Sequence, residues 1–456
     1  MINKPAETNT PDAPKTLHVT LNDGQLAAEQ VIRQWLTQPI DDGKGIPNTG
    51  RYMSLTGGGG SGKTTMLFPL LIEMANKGQR ILLTAPTNKA CRVLRETSRK
   101  WGYEFEVMTL AKALGLALLP SEEDKRIRHV GQPVLVNYAL VVLDEASMAS
   151  KMSIDIVEGA LAFSGTKLLA MGDDCQLPPV RESRPEAFDL GPKVELSKIE
   201  RYSGAILEFA STLREHVKTN QKIKTLPSIL NADGSGVHHA LGKQFVPKAM
   251  ELVDLDNPDK TRVLAWTNAR VDAMNQAIRQ HFHGLKVPSF LVGDKVVTTD
   301  VVKDPEGNDI LLPVDEDCCV TAVHEDFVGG AAGSRLTFPS WMLVLRPLHG
   351  GVRDVVAQVI KPEHKAEWES HLADVAKRAK INRNWTEYWY LRESVHQVKH
   401  CYAITVHRSQ GSTFTNVFLD VIDIQKNQRV HEQLKLLYVG ASRPTTNLFL
   451  NREKCL

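Results

Sequence analysis

Residues 54–65 read SLTGGGGSGKTT, and no other stretch constrains the fold as strongly. A β-prone run, YMSLT, leads into it, and an apolar-periodic segment, TMLFPLLIEMANKG, follows and ends at Gly78. Residues 57–64 fit G-x-x-x-x-G-K-T between a strand and a helix, the context this pattern requires. Glycines let backbone N–H groups close around phosphates at the start of a helix, so the chain must supply strand, loop and helix in that order. Lys63 is then placed to reach β- and γ-phosphates, and the Thr64 hydroxyl to ligate Mg²⁺. Gly57, Gly58, Gly59, Gly60, Ser61, Gly62, Lys63, Thr64 and Thr65 are the candidate nucleotide-binding residues, with ATP as the expected nucleotide. Pro69 inside the helix is expected to kink it.

The flanking pattern predicts an α/β fold. AAEQVIRQWL reads as a helix with an apolar face at Ala27, Val31, Ile32 and Leu36. RILLTAP, ALVVLDEAS and TKLLAMGD read as strands and NKACRVLRETSRKWG as a helix. Continuous apolar strands alternating with helices imply a parallel sheet buried on both faces. Residues 115–137 break that rhythm with charges, Pro and Gly, and read as an excursion that can close as a β-hairpin. After Glu200 a second alternating region begins with SGAILEFASTLREH, TRVLAWTN and ARVDAMNQAIRQ. Residues 284–398 hold short β-rich runs and one charged helical segment, a small β-barrel with a helical arm inserted into the second sheet region. The sheet pattern resumes at HCYAITV, NVFLDVI and NLFL.

Composition narrows less. The net charge of +2 over 456 residues neither demands nor excludes a nucleic-acid partner. No run approaches the roughly 18 apolar residues of a membrane span, so no membrane contact is expected. MINKPAETNTPDAPKT lacks the apolar core of a signal peptide and reads as a disordered leader. Six cysteines without C-x-x-C spacing argue against both a zinc site and a disulfide framework, and for a reduced, cytoplasmic protein. His281 and His283, near Cys318, read as surface residues.

The glycine loop needs an acidic partner, and VVLDEAS supplies one. Four apolar residues put Asp144 and Glu145 at the exposed end of a strand, Asp144 to hold Mg²⁺ through water and Glu145 to take a proton from the attacking water. Gln25, before the first helix, could read an adenine edge with its paired donor and acceptor. Gln176, in MGDDCQLPPV after another strand, could sense the γ-phosphate.

Together these motifs resemble those of superfamily 1 DNA helicases of the RecD/Dda-like branch, over residues 20–450. LNDGQ resembles their adenine-reading motif, and GGGGSGKTT and LDEAS their two Walker elements. TAPTNKA and MTLAKAL resemble elements that touch DNA, and GDDCQLPPV the one that links the γ-phosphate to DNA. ITVHRSQGST and LLYVGASR are similar to the last two motifs. The second DNA element has Leu110, Ala111 and Lys112 where the family usually has His, and Pro444 stands where it commonly has a small residue.

The resemblance implies arginine fingers at Arg201 and Arg443, nucleotide contact at Gly411, and DNA contacts at Pro86, Thr87, Asn88, Thr109, Thr405, His407 and Ser412. Trp266, Tyr402 and Phe105 are the candidate stacking platforms, each also readable as core. It further implies two RecA-like parallel-sheet motor domains, residues 20–195 and residues 196–283 with 399–456, behind a leader of residues 1–19. Residues 115–137 would be a pin and residues 284–398 an SH3-like barrel whose arm braces it. The expected activity is that of an ATP-dependent DNA helicase, a monomer moving 5′ to 3′ on single-stranded DNA and unwinding duplex at a fork, with single-strand-binding or replisome proteins as candidate partners. The alternatives are a translocase that strips bound proteins with little unwinding, and an ATP-gated DNA-binding module.

Overall fold

The structure is a computed structural model that describes residues 20–40, 50–121, 124–179, 182, 184–198, 204–304, 310–330, 336–349 and 353–452. The expected leader, residues 1–19, and Arg201 lie outside the described residues.

A six-stranded sheet holds the glycine loop. Its order is Glu106–Thr109, Ile81–Ala85, Leu140–Leu143, Lys167–Gly172, Tyr52–Gly57, Lys193–Leu196, and every neighbouring pair is parallel. The central strands are buried along their length because helices cover both faces. On one face Ile32, Trp35, Leu67, Leu71, Cys91 and Leu94 come from the helices Asp23–Thr37, Lys63–Asn76 and Asn88–Lys100. On the other, Ile154, Val157 and Leu161 of the helix Lys151–Leu161 pack with Leu110, Leu116 and Phe188.

One local expectation is corrected. The first helix buries Gln25, Ala28, Ile32 and Trp35, while Ala27 and Val31 are exposed and Leu36 is half-buried. The large indole of Trp35 and the engaged amide of Gln25 turn the helix away from the face its small apolar residues define. The helix Lys63–Asn76 runs through Pro69, which lies on its exposed side.

The second six-stranded sheet runs Ala403–Thr405, Thr261–Ala265, Phe414–Asp420, Pro444–Asn451, Gly236–His239, Ile229–Leu230. Only the last pair is antiparallel. Its main core includes Phe209, Leu213, Leu419, Leu436 and Tyr438, and also Cys175 and Leu177, which belong to a loop leaving the first sheet.

Residues 115–137 contain an antiparallel hairpin of Leu116–Ser121 with Asp124–His129, Leu116 standing opposite His129. Between the halves of the second sheet lies a five-stranded antiparallel sheet, Val355–Ile360, Thr337–Pro347, Asp317–Gly329, Lys295–Thr298, Val398–His400. Its two edges curl toward each other: His396 N–H donates to Gln358 O at 2.7 Å, and Gln358 N–H to His396 Nδ1 at 3.0 Å. The helices Lys365–Asn382 and Thr386–Ser394 form an arm whose Trp368, Leu372 and Leu391 pack on Val328 and Phe338.

The five described cysteines are free thiols, and His281 and His283 are exposed. Among the described residues no helix is long and apolar enough to cross a membrane.

Candidate functional site

The loop is built for an anion. Gly62 takes the left-handed region at φ 79° and opens the helix Lys63–Asn76 with no side-chain cap, so the first-turn N–H groups remain for a ligand. A Cβ on Gly57 would stand 2.7 Å from Leu196 O, and one on Gly62 2.3 Å from Gln25 Nε2. Lys63 Nζ donates to the loop carbonyls of Gly57 at 2.8 Å and Gly58 at 3.2 Å. Gln25, expected at an adenine edge, is buried under the loop: its Nε2 donates to Ser61 O at 3.1 Å, and its Oε1 accepts from Asn22 N–H at 3.0 Å.

Asp144 leaves the end of Leu140–Leu143, its N–H bonded to Thr84 O and its Oδ1 accepting from Glu145 N–H at 2.9 Å. Burial and the adjoining Glu145 carboxylate push the Asp144 pKa up, opposed by Lys63. Glu145 takes a left-handed backbone, φ 48°, rare outside glycine and a form of strain that collects at functional sites. Thr64 and Asp144 line one cleft with Lys63, offering a hydroxyl and a half-buried carboxylate whose neighbour repels it. That oxygen donor set fits a hard divalent cation such as Mg²⁺.

The opposite wall of this cleft, about 780 Å³ in volume, comes from the second sheet: Gly411, Ser412, Thr413 and Arg443. A Cβ on Gly411, φ 72°, would lie 3.9 Å from Glu145 Oε1. Arg443 is held within the second body, Nε donating to Val439 O at 3.0 Å, Nη1 to Ser412 O at 3.2 Å and Nη2 to Ser442 Oγ at 2.8 Å.

The loop 173–177 joins the walls. Gln176 sits between Cys175 and Leu177, both anchored in the second core, and Gln410 Nε2 donates to Gln176 Oε1 at 3.4 Å and Leu177 O at 3.2 Å. Asp173, 1% exposed, accepts from the Tyr438 hydroxyl and from Cys175 N–H. Arg214 of the helix Ala205–Thr219 reaches Asp173 at 3.5 Å, Asp174 at 3.3 Å and Glu195 at 2.7 Å. Asp173, Asp174 and Cys175 are near enough to share a cation, but Arg214 already supplies that charge, and burial first and Asp173 next push the Cys175 thiol up to about 12. Gln410, Tyr438 and Arg214 were missed as site residues. The first two lie inside recognised motif runs, whereas Arg214 carries no sequence signal beyond its helix.

The remaining candidates fall into groups. Pro86, Thr87 and Asn88 follow Ile81–Ala85, beside Thr109, which ends the neighbouring strand opposite Ala85. Thr87 caps the helix Asn88–Lys100, its Oγ1 accepting from Ala90 N–H at 3.1 Å, and Thr109 caps Leu110–Ala113 in the same way. Thr405 and His407 line a second cleft of about 870 Å³ with Trp266, Leu177 and Pro178. Burial lowers the His407 pKa. Ser412 is not with them: it lies in the nucleotide-side cleft. Of the three stacking candidates only Trp266 borders an opening, since Tyr402 is 1% exposed in the second core and Phe105 packs edge-on against Phe68.

Known families match along this frame. An AAA domain matches residues 44–228, and a UvrD-like helicase C-terminal domain matches residues 400–450. The ATP-dependent DNA helicase dda of Enterobacteria phage T4 is 24% identical, over 89% of this chain and 95% of its own length. The RecBCD enzyme subunit RecD of Buchnera aphidicola is 30% identical over 146 residues, 28% of this chain and 23% of that protein. By these matches the chain is similar to superfamily 1 helicases of the Dda and RecD type. The fold agrees: a solved structure of Pif1 helicases at forked duplex DNA, 18% identical, superposes with a TM-score of 0.51 over 95% of this chain and 92% of that one. The AAA-domain match falls on the glycine loop, which is shaped to hold a nucleotide.

Proposed function

We propose that this helicase moves 5′ to 3′ along single-stranded DNA and unwinds duplex at a fork, driven by closure of the two-walled cleft around ATP. One observation carries the cleft mechanism: Lys63, Asp144 and Glu145 face Gly411 and Arg443, which belong to the other sheet. The 5′-to-3′ sense rests on the resemblance of the motif set to the RecD/Dda-like branch.

The residues divide the work. Loop N–H groups and Lys63 bind the phosphates, and Glu145 takes the proton of the attacking water. Thr64 and Asp144 would hold Mg²⁺, which when bound offsets phosphate charge. Arg443 leaves its carbonyl partners to meet charge that develops on the transferring phosphoryl group, which it can do only when the walls approach. Arg201 is assigned the partner role on resemblance alone. Gln176 reports the nucleotide's state, because its neighbours Cys175 and Leu177 are packed into the other body.

Strand contacts are assigned to Pro86, Thr87, Asn88 and Thr109 on the first body and to Thr405 and His407 on the second, Ser412 falling on the nucleotide side. Hydroxyl, amide and backbone groups suit sequence-independent phosphate contact. Residues 20–195 then form motor domain 1, and residues 196–283 with 399–456 motor domain 2. The hairpin in 115–137 serves as the separating pin, and the curled sheet and arm of 284–398 as an SH3-like brace. The working unit is a monomer, open to single-strand-binding or replisome proteins.

Displacement of streptavidin from each end of a biotinylated oligonucleotide tests direction. Release from the 3′ end alone is expected; release from the 5′ end alone would reverse the assignment, and none would favour an ATP-gated binder. Lys63→Ala and Arg443→Ala should each lower DNA-stimulated hydrolysis by orders of magnitude, and near-normal turnover would remove the role assigned to that residue.

A further inference from the structure

The inserted sheet meets both motor sheets at one acidic turn. Asp315 takes the left-handed region at φ 64°, and Glu316 and Asp317 follow it into the strand Asp317–Gly329. The turn is pinned to Thr298: Asp315 N–H donates to Thr298 O at 2.9 Å, and Glu316 N–H to Thr298 Oγ1 at 3.0 Å. Its carboxylates then go to different bodies. Glu316, 7% exposed, accepts from Arg92 at 2.7 Å, and Asp317 lies 4.0 Å from Lys89. Both bases belong to the helix Asn88–Lys100 on the first sheet. Asp317 also pairs with buried Arg262 at 3.2 Å, and Asp315 with Arg408 at 3.1 Å, both from the second sheet's segments.

The placement of those bases gives the turn its meaning. Lys89 and Arg92 stand within the first turns after Thr87 and Asn88, the proposed grip of the first body. Arg408 follows His407 directly, and its N–H bonds Thr405 Oγ1 at 3.3 Å, so it is part of the second grip. Lys89 and Arg92 also line the nucleotide-side cleft, so a phosphate arriving there competes with the turn for the same two cations. The Glu316–Arg92 pair has little exposure, so it is weakly screened and resists separation, whereas the Asp315–Arg408 pair is more open to solvent.

We propose that Asp315, Glu316 and Asp317 form an electrostatic strut by which the inserted sheet sets the spacing between the two strand grips, making them positioning residues for translocation. The inference rests on the grip assignment above. It gives the insertion a part in every ATP cycle, separate from any bracing of the hairpin.

The test uses the full chain carrying Asp315→Asn with Glu316→Gln, which leaves the buried Asp317–Arg262 pair intact. Loss of the Glu316–Arg92 pair should lower the thermal midpoint without unfolding the chain, while ATP consumed per base pair unwound rises about fivefold, a usual size for a lost coupling contact. Arg92→Met should raise the same ratio, and Arg92→Met combined with Glu316→Gln should be no worse than the larger single effect. An unchanged ratio, or single effects that multiply in the double variant, overturns the strut while leaving the helicase reading intact. A lowered midpoint with an unchanged ratio overturns it too, since the turn would then serve stability only. Wild-type protein without DNA-stimulated hydrolysis would overturn both.

Discussion

Arg214→Met removes the one cation shared by three carboxylates of the first body. The cost can be apportioned from the remaining partners. Glu195 keeps Lys218 at 2.7 Å and Asp174 keeps Lys193 at 3.3 Å, so neither is stranded. Asp173, 1% exposed, keeps the Tyr438 hydroxyl and Cys175 N–H but loses its ion-pair partner. Breaking a buried pair on one side typically costs about 3–5 kcal/mol, and the two surviving hydrogen bonds place this case at the lower end. The loss falls on the loop 173–177, which should therefore open locally rather than unfold the chain. A cost of about 3 kcal/mol corresponds to roughly 100-fold faster exchange at protected amides. Cys175 and Gln176 report it directly, because their N–H groups bond Asp173 Oδ1 and Asp173 O, each at 3.1 Å. Hydrogen exchange read by mass spectrometry, with the helix Ala205–Thr219 as internal control, is the assay. If those two amides keep wild-type protection while the helix stays folded, Arg214 is not what holds the loop. DNA-stimulated hydrolysis should fall with the protection, since Gln176 loses its fixed position.

Glu145→Gln keeps shape and removes the proton acceptor, so single-turnover hydrolysis should slow by about 10²–10⁴-fold while fluorescent-nucleotide affinity holds. A matching loss of affinity would assign Glu145 to binding instead. His407 is neutral at pH 7, because burial lowers its pKa from 6.5. His407→Asn should therefore leave the slope of log affinity against log salt unchanged for single strands, where losing one cationic contact would shift it by about 0.7.

Much of this architecture was legible because period and punctuation carried it. The strand Leu140–Leu143 is four apolar residues ending at an acidic pair, a signal that packing could only confirm. The glycine loop needed a left-handed residue at its helix start, and Gly62 provides it. The first helix was misread at its face because hydrophobicity ranks Val31 above Gln25, whereas a bond to Ser61 O 36 residues away decides which of them is buried. Arg214 and the acidic turn at 315–317 were illegible for the same reason: their partners lie tens to hundreds of residues away, and a charge in a helix or turn looks solvated until its neighbours are known.

The loop 173–177 shows why the missing part matters for mechanism. It follows the strand Lys167–Gly172 of the first sheet, yet Cys175 and Leu177 are packed in the second core, and Tyr438 and Arg214 hold Asp173 from that side. Interiors are close-packed, so a movement of the second core carries the loop with it rather than sliding past it. Gln176 and Gly172 face the cleft that also holds Lys63 and Glu145. A change at the phosphates and a change in the wall position are then one displacement, shared through five residues. The second cleft, lined by Leu177, Pro178, Trp266, Thr405 and His407, opens on the far side of the same loop. On the strand assignment proposed above, nucleotide and strand are coupled through packing, and loosening the loop should separate hydrolysis from movement before it abolishes either.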